Sequence, residues 1–291
     1  MYRNEFAMPI SREERKSEAA KHLSFARGLF PSETEASISS VKIYEDGEGR
    51  ELALPEPSAE ETTTSVTTAF SVSALYRTHG KTLLVDPASF TRPGGNYEEG
   101  GFGPEQIICA ESNLYPILEG IADVYHRKNR GFARGQLFTD HSAYLADVVF
   151  SREGQIRNAD VLVIPEPNRQ HALENHRSER ECDTCLAARV ETLLRIAAAN
   201  SVDNLVVGAF GCGRQGFPAS QVIELFQNWI EANPGAIPNI VFAVPRFQFE
   251  EFNQAFGAPE PPAETSPVET EEPEEENTFD PNDLPEGVTL R

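Results

Sequence analysis

Residues 206–218 read VVGAFGCGRQGFP and run directly into a stretch with helical periodicity, Ala219–Ala232. An apolar strand, a glycine-rich loop and a helix in direct succession are typical of a layered α/β domain. The first amides of such a helix have no partner within it, and the helix dipole favours an anion beside them. The stretch therefore predicts a cradle for a diphosphate group. An ordinary tight connection between a strand and a helix is the alternative.

A second loop of the same kind lies earlier in the chain. The apolar run Lys81–Asp86 is typical of a buried strand, and the turn Pro93-Gly94-Gly95-Asn96-Tyr97 follows it. Glycine has no side chain, so the backbone at Gly94 and Gly95 can approach a ligand closely. Open α/β sheets bind ligands beyond the carboxyl ends of their strands. We therefore expect the two glycine loops to border one cleft.

Strands and helices alternate along most of the chain, which predicts an α/β domain with a largely parallel sheet. Further predicted strands are Asp147–Phe150, Asp160–Ile164, Asn204–Ala209 and Asn239–Val244. Predicted helices are a Ser11-capped helix through Leu23, and Thr68–Thr78, Glu105–Tyr125, Cys182–Ala199, Ala219–Ala232 and Gln248–Phe256.

Charge is distributed unevenly along the 291 residues. The net charge is −21, and residues 259–291 hold eleven acidic residues against one basic residue, which gives that segment −10. Its Pro, Glu and Thr content predicts a disordered acidic tail behind a folded domain over residues 1–258. Within that domain, the acidic and Pro-rich residues 45–64 are predicted to form a surface loop. Nucleic acids are bound non-specifically through Lys and Arg, so no direct nucleic-acid binding is expected.

The sequence also bears on the compartment. Residues 1–23 contain no apolar segment of the signal-peptide kind, and no run of about 18 apolar residues occurs anywhere. Four cysteines in a chain of this length do not form a disulfide scaffold. We expect an intracellular protein of the cytoplasm, the nucleus or both, with no membrane partner.

Four metal-ligand residue types lie within fifteen positions of one another, at His171, His176, Cys182 and Cys185. The Cys-x2-Cys spacing is reasonable for a structural zinc site. The alternative, a charged loop with two incidental thiols, is our prediction, and no cofactor is expected. Cys109 and Cys212 are predicted to be packed, small hydrophobic residues, because no His lies near either in the sequence.

Taken together, these motifs resemble those of the microbial-type poly(ADP-ribose) glycohydrolases, a family of the macrodomain superfamily. The family pattern N-F-A-S-x-x-N-P-G-G-G, a spacer and Q-E-E-x-L-C-x-x-S-x-L-Y is similar to residues 86–115. They read DPASFTRPGGN, a spacer, and PEQIICAESNLY. The family's Y-T-D, P-D-V, A-P-N and G-A-W-G-C-G segments resemble FTDH at 138–141, DV at 147–148, PEPN at 165–168 and GAFGCG at 208–213.

The resemblance implies a macrodomain-like three-layer α/β/α sandwich with a mixed, largely parallel sheet. It also implies ADP-ribose, or poly(ADP-ribose) on modified proteins, as the partner, and hydrolysis of the ribose–ribose glycosidic bond. In that chemistry the second Glu of Q-E-E protonates the departing ribose oxygen and then acts as a base toward water. The ligand-binding positions that it implies are Asp86, Gly94, Gly95, Asn96, Asn168, Gly208, Gly211, Cys212, Gly213, Gln215 and Phe217.

The chain departs from the family pattern at the catalytic position. Counting back from Cys109 places Gln106 at the second Glu and Glu105 at the first. An amide cannot transfer a proton at these pH values, and adjacent helix residues point about 100° apart. We predict Glu105 as the acid, with Gln106 orienting ligand or water. Further departures are Asp86 for Asn, Asn96 for the third glycine, and Gln215 for an aromatic residue whose place Phe217 is near enough to take.

Three functions stay open on this basis. The chain is an atypical ADP-ribosyl hydrolase whose acid is Glu105, a reader that binds ADP-ribose without turnover, or an interaction scaffold. The scaffold alternative requires that side chains such as Tyr97 or Phe217 fill the cleft. The position of the Glu105 carboxyl relative to the ligand separates the first two.

Overall fold

A single seven-stranded sheet is the centre of the computed structural model, which describes residues 11–257. The order across the sheet is β1-β4-β5-β3-β6-β7-β2, and only β4 is antiparallel to its neighbours, β1 and β5. In chain order the strands are Lys42–Tyr44 (β1), Thr63–Thr67 (β2), Thr82–Pro87 (β3), Ser142–Arg152 (β4), Gln155–Ile164 (β5), Asn204–Val207 (β6) and Asn239–Ala243 (β7).

Helices cover both faces of this sheet. In chain order they are Arg12–Leu29 (α1), Pro31–Ser39 (α2), Glu48–Glu51 (α3), Ser71–Leu75 (α4), Pro104–Ala110 (α5), Leu114–Gly120 (α6), Arg169–Glu174 (α7), Glu179–Ala199 (α8), Ala219–Ala232 (α9) and Arg246–Phe256 (α10).

Two hydrophobic cores, one on each face, hold the layers together. On one face, Leu193 of α8, Phe226 of α9 and Phe252 of α10 are fully buried with Leu83 of β3. On the other face, Leu23 of α1, Leu75 of α4 and residues of α5 and α6 pack with Leu84 of β3. Successive residues of β3 point to opposite faces, so one strand contributes to both cores. The predicted three-layer α/β/α sandwich with a mixed, largely parallel sheet is confirmed.

Several helix boundaries follow the local signals. Ser11 caps α1 through a capping box with Glu14, as the sequence predicts for its N-terminus. Ser178 and Glu181 form the same reciprocal pair at the start of α8. The predicted helix Ala219–Ala232 is confirmed at both ends.

The single helix predicted over Glu105–Tyr125 is wrong, because α5 ends at Ala110 and α6 begins at Leu114. The residues between them bond to strand β4. The Asn113 N–H donates to the Val149 carbonyl, and the Asn113 side-chain oxygen accepts from the Val149 N–H. These bonds to a sheet edge replace those that a continuous helix would make, and the sequence around Asn113 does not reveal them.

The surface loop predicted over residues 45–64 is wrong in part. The short helix α3 lies within it, and Gly49 is buried against α8, where an added Cβ would lie 2.7 Å from the Thr192 methyl group. Strand β2 begins at Thr63 and pairs with β7. Similarly, the helix predicted over Thr68–Thr78 is reduced to α4. The two strands that sequence reasoning missed, β1 and β2, are short and lie at the two edges of the sheet, where their burial patterns carry little periodic signal.

All the described residues fall within one compact unit. The predicted acidic tail, residues 259–291, lies outside the described residues, so the predicted domain boundary and the tail's disorder stay predictions. Within residues 11–257, no helix combines the length and the apolar character that a bilayer crossing requires.

Candidate functional site

A cleft of about 390 Å³ opens beyond the carboxyl ends of the parallel strands. Segments that follow five strands contribute to its walls, namely β2, β3, β5, β6 and β7. Those segments are residues 68–71, Pro87 and the loop beyond it, Glu166, residues 208–215 and residues 243–248. The glycine loop after β6 and the end of the loop after β3 therefore border one cleft, at the edge where open α/β sheets bind ligands, whereas the predicted turn at Gly94 and Gly95 does not line it.

The loop after β6 forms one wall of this cleft. Gly208, Cys212, Gly213 and Gln215 line it, as predicted. Gly213 has φ +62° and begins a short 3-10 turn, so the first N–H groups of that turn have no partner within it. This backbone supplies hydrogen-bond donors to an anion without a basic side chain.

The loop after β3 forms the opposite wall through its last residues, Phe102, Gly103 and Pro104. Gly94 and Gly95 lie earlier in this loop, with φ of +59° and +57°. A Cβ on Gly94 would lie 2.5 Å from the Tyr115 ring. Both glycines are required by the fold of the loop itself, because side-chain residues rarely adopt this backbone conformation.

Glu105 lies in the first turn of α5, directly behind the wall of the cleft. Its side chain is only 4% exposed, its Oε2 accepts a hydrogen bond of 3.1 Å from the Ser89 N–H, and its Oε1 has no partner among the described residues. Burial, and then the charge of Asp86, raise the pKa of Glu105 well above its usual range. This shift favours the protonated carboxyl, which is the form that a general acid requires.

The Gln106 side chain does not line this cleft. Its Nε2 donates to the Gly94 carbonyl at 3.1 Å and lies 3.4 Å from Glu105 Oε2. Its side chain lines a second cavity, of about 430 Å³, between α1 and the loop after β3. Gln106 thus braces the glycine turn against α5, and its amide is positioned to orient the Glu105 carboxyl.

Asp86 is fully buried at the end of β3, and neither of its carboxyl oxygens has a hydrogen-bond partner in the described part of the chain. Burial, and then the charge of Glu166, raise its pKa to about 8. Asp86 does not line the cleft, so it acts on a ligand only through its neighbours.

Glu166 is a site residue that sequence reasoning missed. It follows β5, is half-buried, and is the one carboxyl among the described residues that line the cleft. Its Oε1 accepts from the Gly211 N–H at 2.8 Å, and its Oε2 accepts from Gln215 Nε2 at 3.1 Å. Burial raises its pKa to about 7. Its position in the PEPN segment was the only sequence signal.

Three predicted ligand-binding residues have other roles in the structure. The Asn168 side chain caps α7 by accepting from the His171 N–H at 2.9 Å. Phe217 is buried in the core beneath the sheet and does not line the cleft. Asn96 packs against Gly101, where its side-chain oxygen would block any added Cβ. These side chains take part in a helix cap and in local packing, so they are not free to contact a ligand in the cleft.

The cleft is not filled by the side chains that the scaffold alternative requires. Tyr97 is 4% exposed, and its hydroxyl lies 3.0 Å from His22 Nδ1, away from the cleft. Phe217 is equally buried in the core. Cys212 lines the cleft, but burial raises the pKa of its thiol to about 12, so it is no thiolate nucleophile.

The four candidate zinc ligands are not brought together. His171 and His176 are exposed, Cys182 is buried in the core, and the Cys185 thiol donates to the Leu137 carbonyl. Over residues 11–257, no group of three or more His, Cys, Asp or Glu side chains is arranged to hold a metal ion.

Three exposed phenylalanines at the cleft were also missed. Phe70, Phe102 and Phe247 line it with 55%, 60% and 75% of their surfaces exposed. Phe70 precedes α4, Phe247 lies in the first turn of α10, and Phe102 lies in a loop. At such positions hydrophobic periodicity does not predict whether a side chain is exposed. Large apolar side chains that stay in contact with water at a cleft mark a binding surface.

Comparison with known proteins agrees with this description. The family model of the microbial-type PARG catalytic domain matches residues 19–153. The solved structure of poly(ADP-ribose) glycohydrolase from Thermomonospora curvata is similar at 23% identity, with a TM-score of 0.69 over 79% of this chain and 93% of that one. The Deinococcus radiodurans enzyme in complex with ADP-ribose is 25% identical, with a TM-score of 0.68 over 76% and 96% of the two chains.

A further similar structure is the Thermomonospora curvata enzyme bound to the inhibitor ADP-HPD, with 23% identity and a TM-score of 0.69 over 80% of this chain and 93% of that one. Among curated protein sequences, none matches the chain. The fold and the cleft define a macrodomain-like α/β/α domain. Over residues 19–153 the chain is similar to the microbial-type PARG catalytic domain, as its motifs indicate.

Proposed function

We propose that this chain binds ADP-ribose in the cleft and hydrolyses a glycosidic ADP-ribosyl linkage. The observation that carries the proposal is the convergence of the end of the loop after β3 and the glycine loop after β6 on one open cleft at the carboxyl ends of the parallel strands. The backbone at Gly208 and Gly213 suits a diphosphate, because main-chain N–H groups bind anions without a basic field. The faces of Phe70 and Phe247 suit a nucleobase, which stacks on aromatic rings.

The proposed acid is Glu105. Burial and the charge of Asp86 both disfavour its charged form and raise its pKa well above the usual range, which favours the protonated form that an acid needs. It is fastened by the Ser89 N–H, and the Gln106 amide lies beside it. An oxocarbenium-like transition state requires proton donation to the departing ribose oxygen, and Glu105 supplies it when the ligand reaches the α5 wall.

The natural ligand that we propose is ADP-ribose or poly(ADP-ribose) on modified proteins, encountered in the cytoplasm or the nucleus. We propose no cofactor, since the chemistry assigned here uses only carboxyl groups of the chain. The relatives whose structures were solved with ADP-ribose or with ADP-HPD support the choice of ligand.

The test is release of free ADP-ribose from poly(ADP-ribose), with ADP-ribose affinity measured on the same samples. Glu105→Gln keeps an acceptor for the Ser89 N–H but has no proton to give. We expect it to lower turnover by about 10² to 10⁴-fold while ADP-ribose affinity stays within a few-fold of wild type. Glu33→Gln, at an exposed position of α2, is the matched control and retains wild-type turnover.

The reader alternative makes the opposite prediction. It requires wild-type protein that binds ADP-ribose but releases none from the polymer, with turnover appearing only in Gln106→Glu. That result would overturn the hydrolase proposal and leave the binding proposal standing. Failure of wild-type protein to bind ADP-ribose would overturn both.

A further inference from the structure

Glu166 has a placement that the proposed acid does not explain. Among the described residues that line the cleft it is the one acidic side chain, whereas Glu105 lies behind the wall and Gln106 faces the second cavity. A carboxyl group in a cleft that suits a diphosphate would repel the ligand when ionised. A carboxyl group in this cleft is therefore expected to have a role that offsets the repulsion of the ligand.

The Glu166 carboxyl is held in one orientation from two sides. The Gly211 N–H, on the loop after β6, donates to Oε1, and Gln215 Nε2, four residues further along that loop, donates to Oε2. One lone-pair position on each oxygen is taken, so further acceptor capacity remains on both. The carboxyl is thus fixed in direction while it stays able to accept a proton.

Two departures from the family pattern meet at Glu166. Glu166 stands where the A-P-N segment has Ala, and Gln215 stands where the family has an aromatic residue. These two side chains are hydrogen-bonded to each other at 3.1 Å. Elsewhere, the pattern's second Glu is replaced by Gln106, which faces the second cavity. The chain therefore lacks a carboxyl at one position of the family pattern and has an additional, oriented one in the cleft.

The electrostatic surroundings of Glu166 suit proton exchange near neutral pH. Burial is the largest influence and raises its pKa to about 7, while the bonds from Gly211 and Gln215 and the charge of Arg189 lower it. The titratable neighbours that face it are Asp86 from β3 and the Cys212 thiol from the loop, whose own pKa values Glu166 raises. The pKa of Glu105 is raised as well, by burial and then by the charge of Asp86.

We propose that Glu166 is a second catalytic carboxyl, the base that takes a proton from the attacking water, and this rests on the proposed function. The bond between the ribose C1″ and the departing ribose oxygen breaks, and Glu105 gives its proton to that oxygen. The water oxygen forms the new bond to C1″, and its proton goes to Glu166. Solvent then removes the proton from Glu166 and restores the one on Glu105, so the charges and protons balance.

A purely structural role for Glu166 has a different signature. If its carboxyl only fastens the Gly211 loop, Glu166→Gln fulfils that role, because the amide oxygen still accepts from the Gly211 N–H. Turnover and its pH dependence would then stay as in wild type. If the carboxyl only competes with ligand phosphates for that N–H, Glu166→Gln would bind ADP-ribose more tightly and still turn over.

The experiment is the pH profile of kcat/KM for ADP-ribose release from poly(ADP-ribose). For wild type we expect a limb that rises with pH through about 7, because the base must be ionised. Glu166→Gln should lose about 10² to 10⁴-fold in turnover and lack the rising limb, with ADP-ribose affinity within a few-fold of wild type. Glu231→Gln, at an exposed position of α9, is the control and keeps the wild-type profile.

Gln215→Ala is the second variant, and it decides the matter if Glu166→Gln fails to fold. Loss of the Gln215 hydrogen bond raises the pKa of Glu166, so the rising limb should move to higher pH. The Glu166 assignment alone is overturned if the rising limb is unchanged in Gln215→Ala. It is also overturned if Glu166→Gln keeps wild-type turnover together with an unchanged rising limb. Absence of turnover in wild type overturns this assignment and the hydrolase proposal together.

Discussion

Asp86 shows how one oxygen atom changes the electrostatics of the site. The family pattern has an amide there, whereas this chain has a fully buried carboxyl without a hydrogen-bond partner in the described residues. A buried carboxylate without a partner is costly, so the group holds its proton and its pKa rises to about 8. When Asp86 does ionise, its negative charge raises the pKa of Glu105 further. Asp86 therefore adds to the burial that favours the protonated form of the proposed acid.

Asp86→Asn should stabilise the fold at neutral pH. The pKa of Asp86 is about 8 in the folded chain but about 3.9 when unfolded, so between these values the folded state holds a proton that the unfolded state releases. Wild-type stability therefore falls as the pH rises through this window. We expect the variant to gain about 2–4 kcal/mol at pH 7 and almost nothing near pH 4. Thermal unfolding at the two pH values measures this.

The matched control for that measurement is Asp123→Asn, at an exposed carboxyl that pairs with Arg127 on the surface. It should show no such pH-dependent gain, because surface ion pairs contribute little. Equal melting temperatures of wild type and Asp86→Asn at neutral pH would show that Asp86 is not held protonated by burial.

At the scale of elements, the loop after β3 depends on glycine for two separate reasons. Gly94 has a positive φ, and it also lies against the ring of Tyr115 on α6. The contact fastens the glycine turn to the helix that follows the proposed catalytic residue. The turn therefore positions α5 and α6 relative to the end of β3.

Gly94→Ala should destabilise the fold by more than the backbone strain of a positive φ accounts for. Gly154, in the turn between β4 and β5, has φ +80° with no atom within 4 Å of an added Cβ, so Gly154→Ala measures the backbone strain alone. That strain costs about 1–2 kcal/mol. Gly94→Ala adds overlap with the Tyr115 ring, so we expect a larger fall in melting temperature and a loss of turnover. Equal losses of stability in the two variants would show that the Tyr115 contact is dispensable.

The elements that the sequence predicts well are those whose signals are local. The Ala219–Ala232 helix and the Ser11 cap depend on periodicity and on hydrogen bonds within four residues, and both are confirmed. The break between α5 and α6 depends on bonds from Asn113 to Val149, which are remote in the chain. Helix propensity around Asn113 gives no sign of that strand, so tertiary hydrogen bonding overrides it.

At the scale of the whole molecule, the acidic balance restricts how an anion can be held. The chain carries a net charge of −21, and Arg214 is the one Lys or Arg among the described residues that line the cleft. Long-range attraction therefore contributes little to binding of a diphosphate. Backbone N–H groups, which carry no net charge, are left as the main donors.

ADP-ribose affinity should accordingly depend only weakly on salt. We expect Kd to rise by less than about threefold when the salt concentration is raised about tenfold, because screening acts on a single exposed cation. In Arg214→Ala the affinity should fall a few-fold and the remaining salt dependence should disappear. Isothermal titration at the two salt concentrations checks both. A steep salt dependence that persists in Arg214→Ala would mean that other basic residues bind the ligand.

The sequence by itself determined the α/β class, the two glycine loops and the family resemblance, because these depend on periodicity, glycine positions and ordered motifs. Only the tertiary structure decided that Phe217 and Asn168 serve the core and a helix cap, that Glu105 lies behind the wall, and that Glu166 meets Gln215 in the cleft. Gly211 and Glu166, which are hydrogen-bonded, are 45 positions apart. Side-chain direction and burial at the ends of separate strands are set by packing across the sheet, which no local pattern encodes.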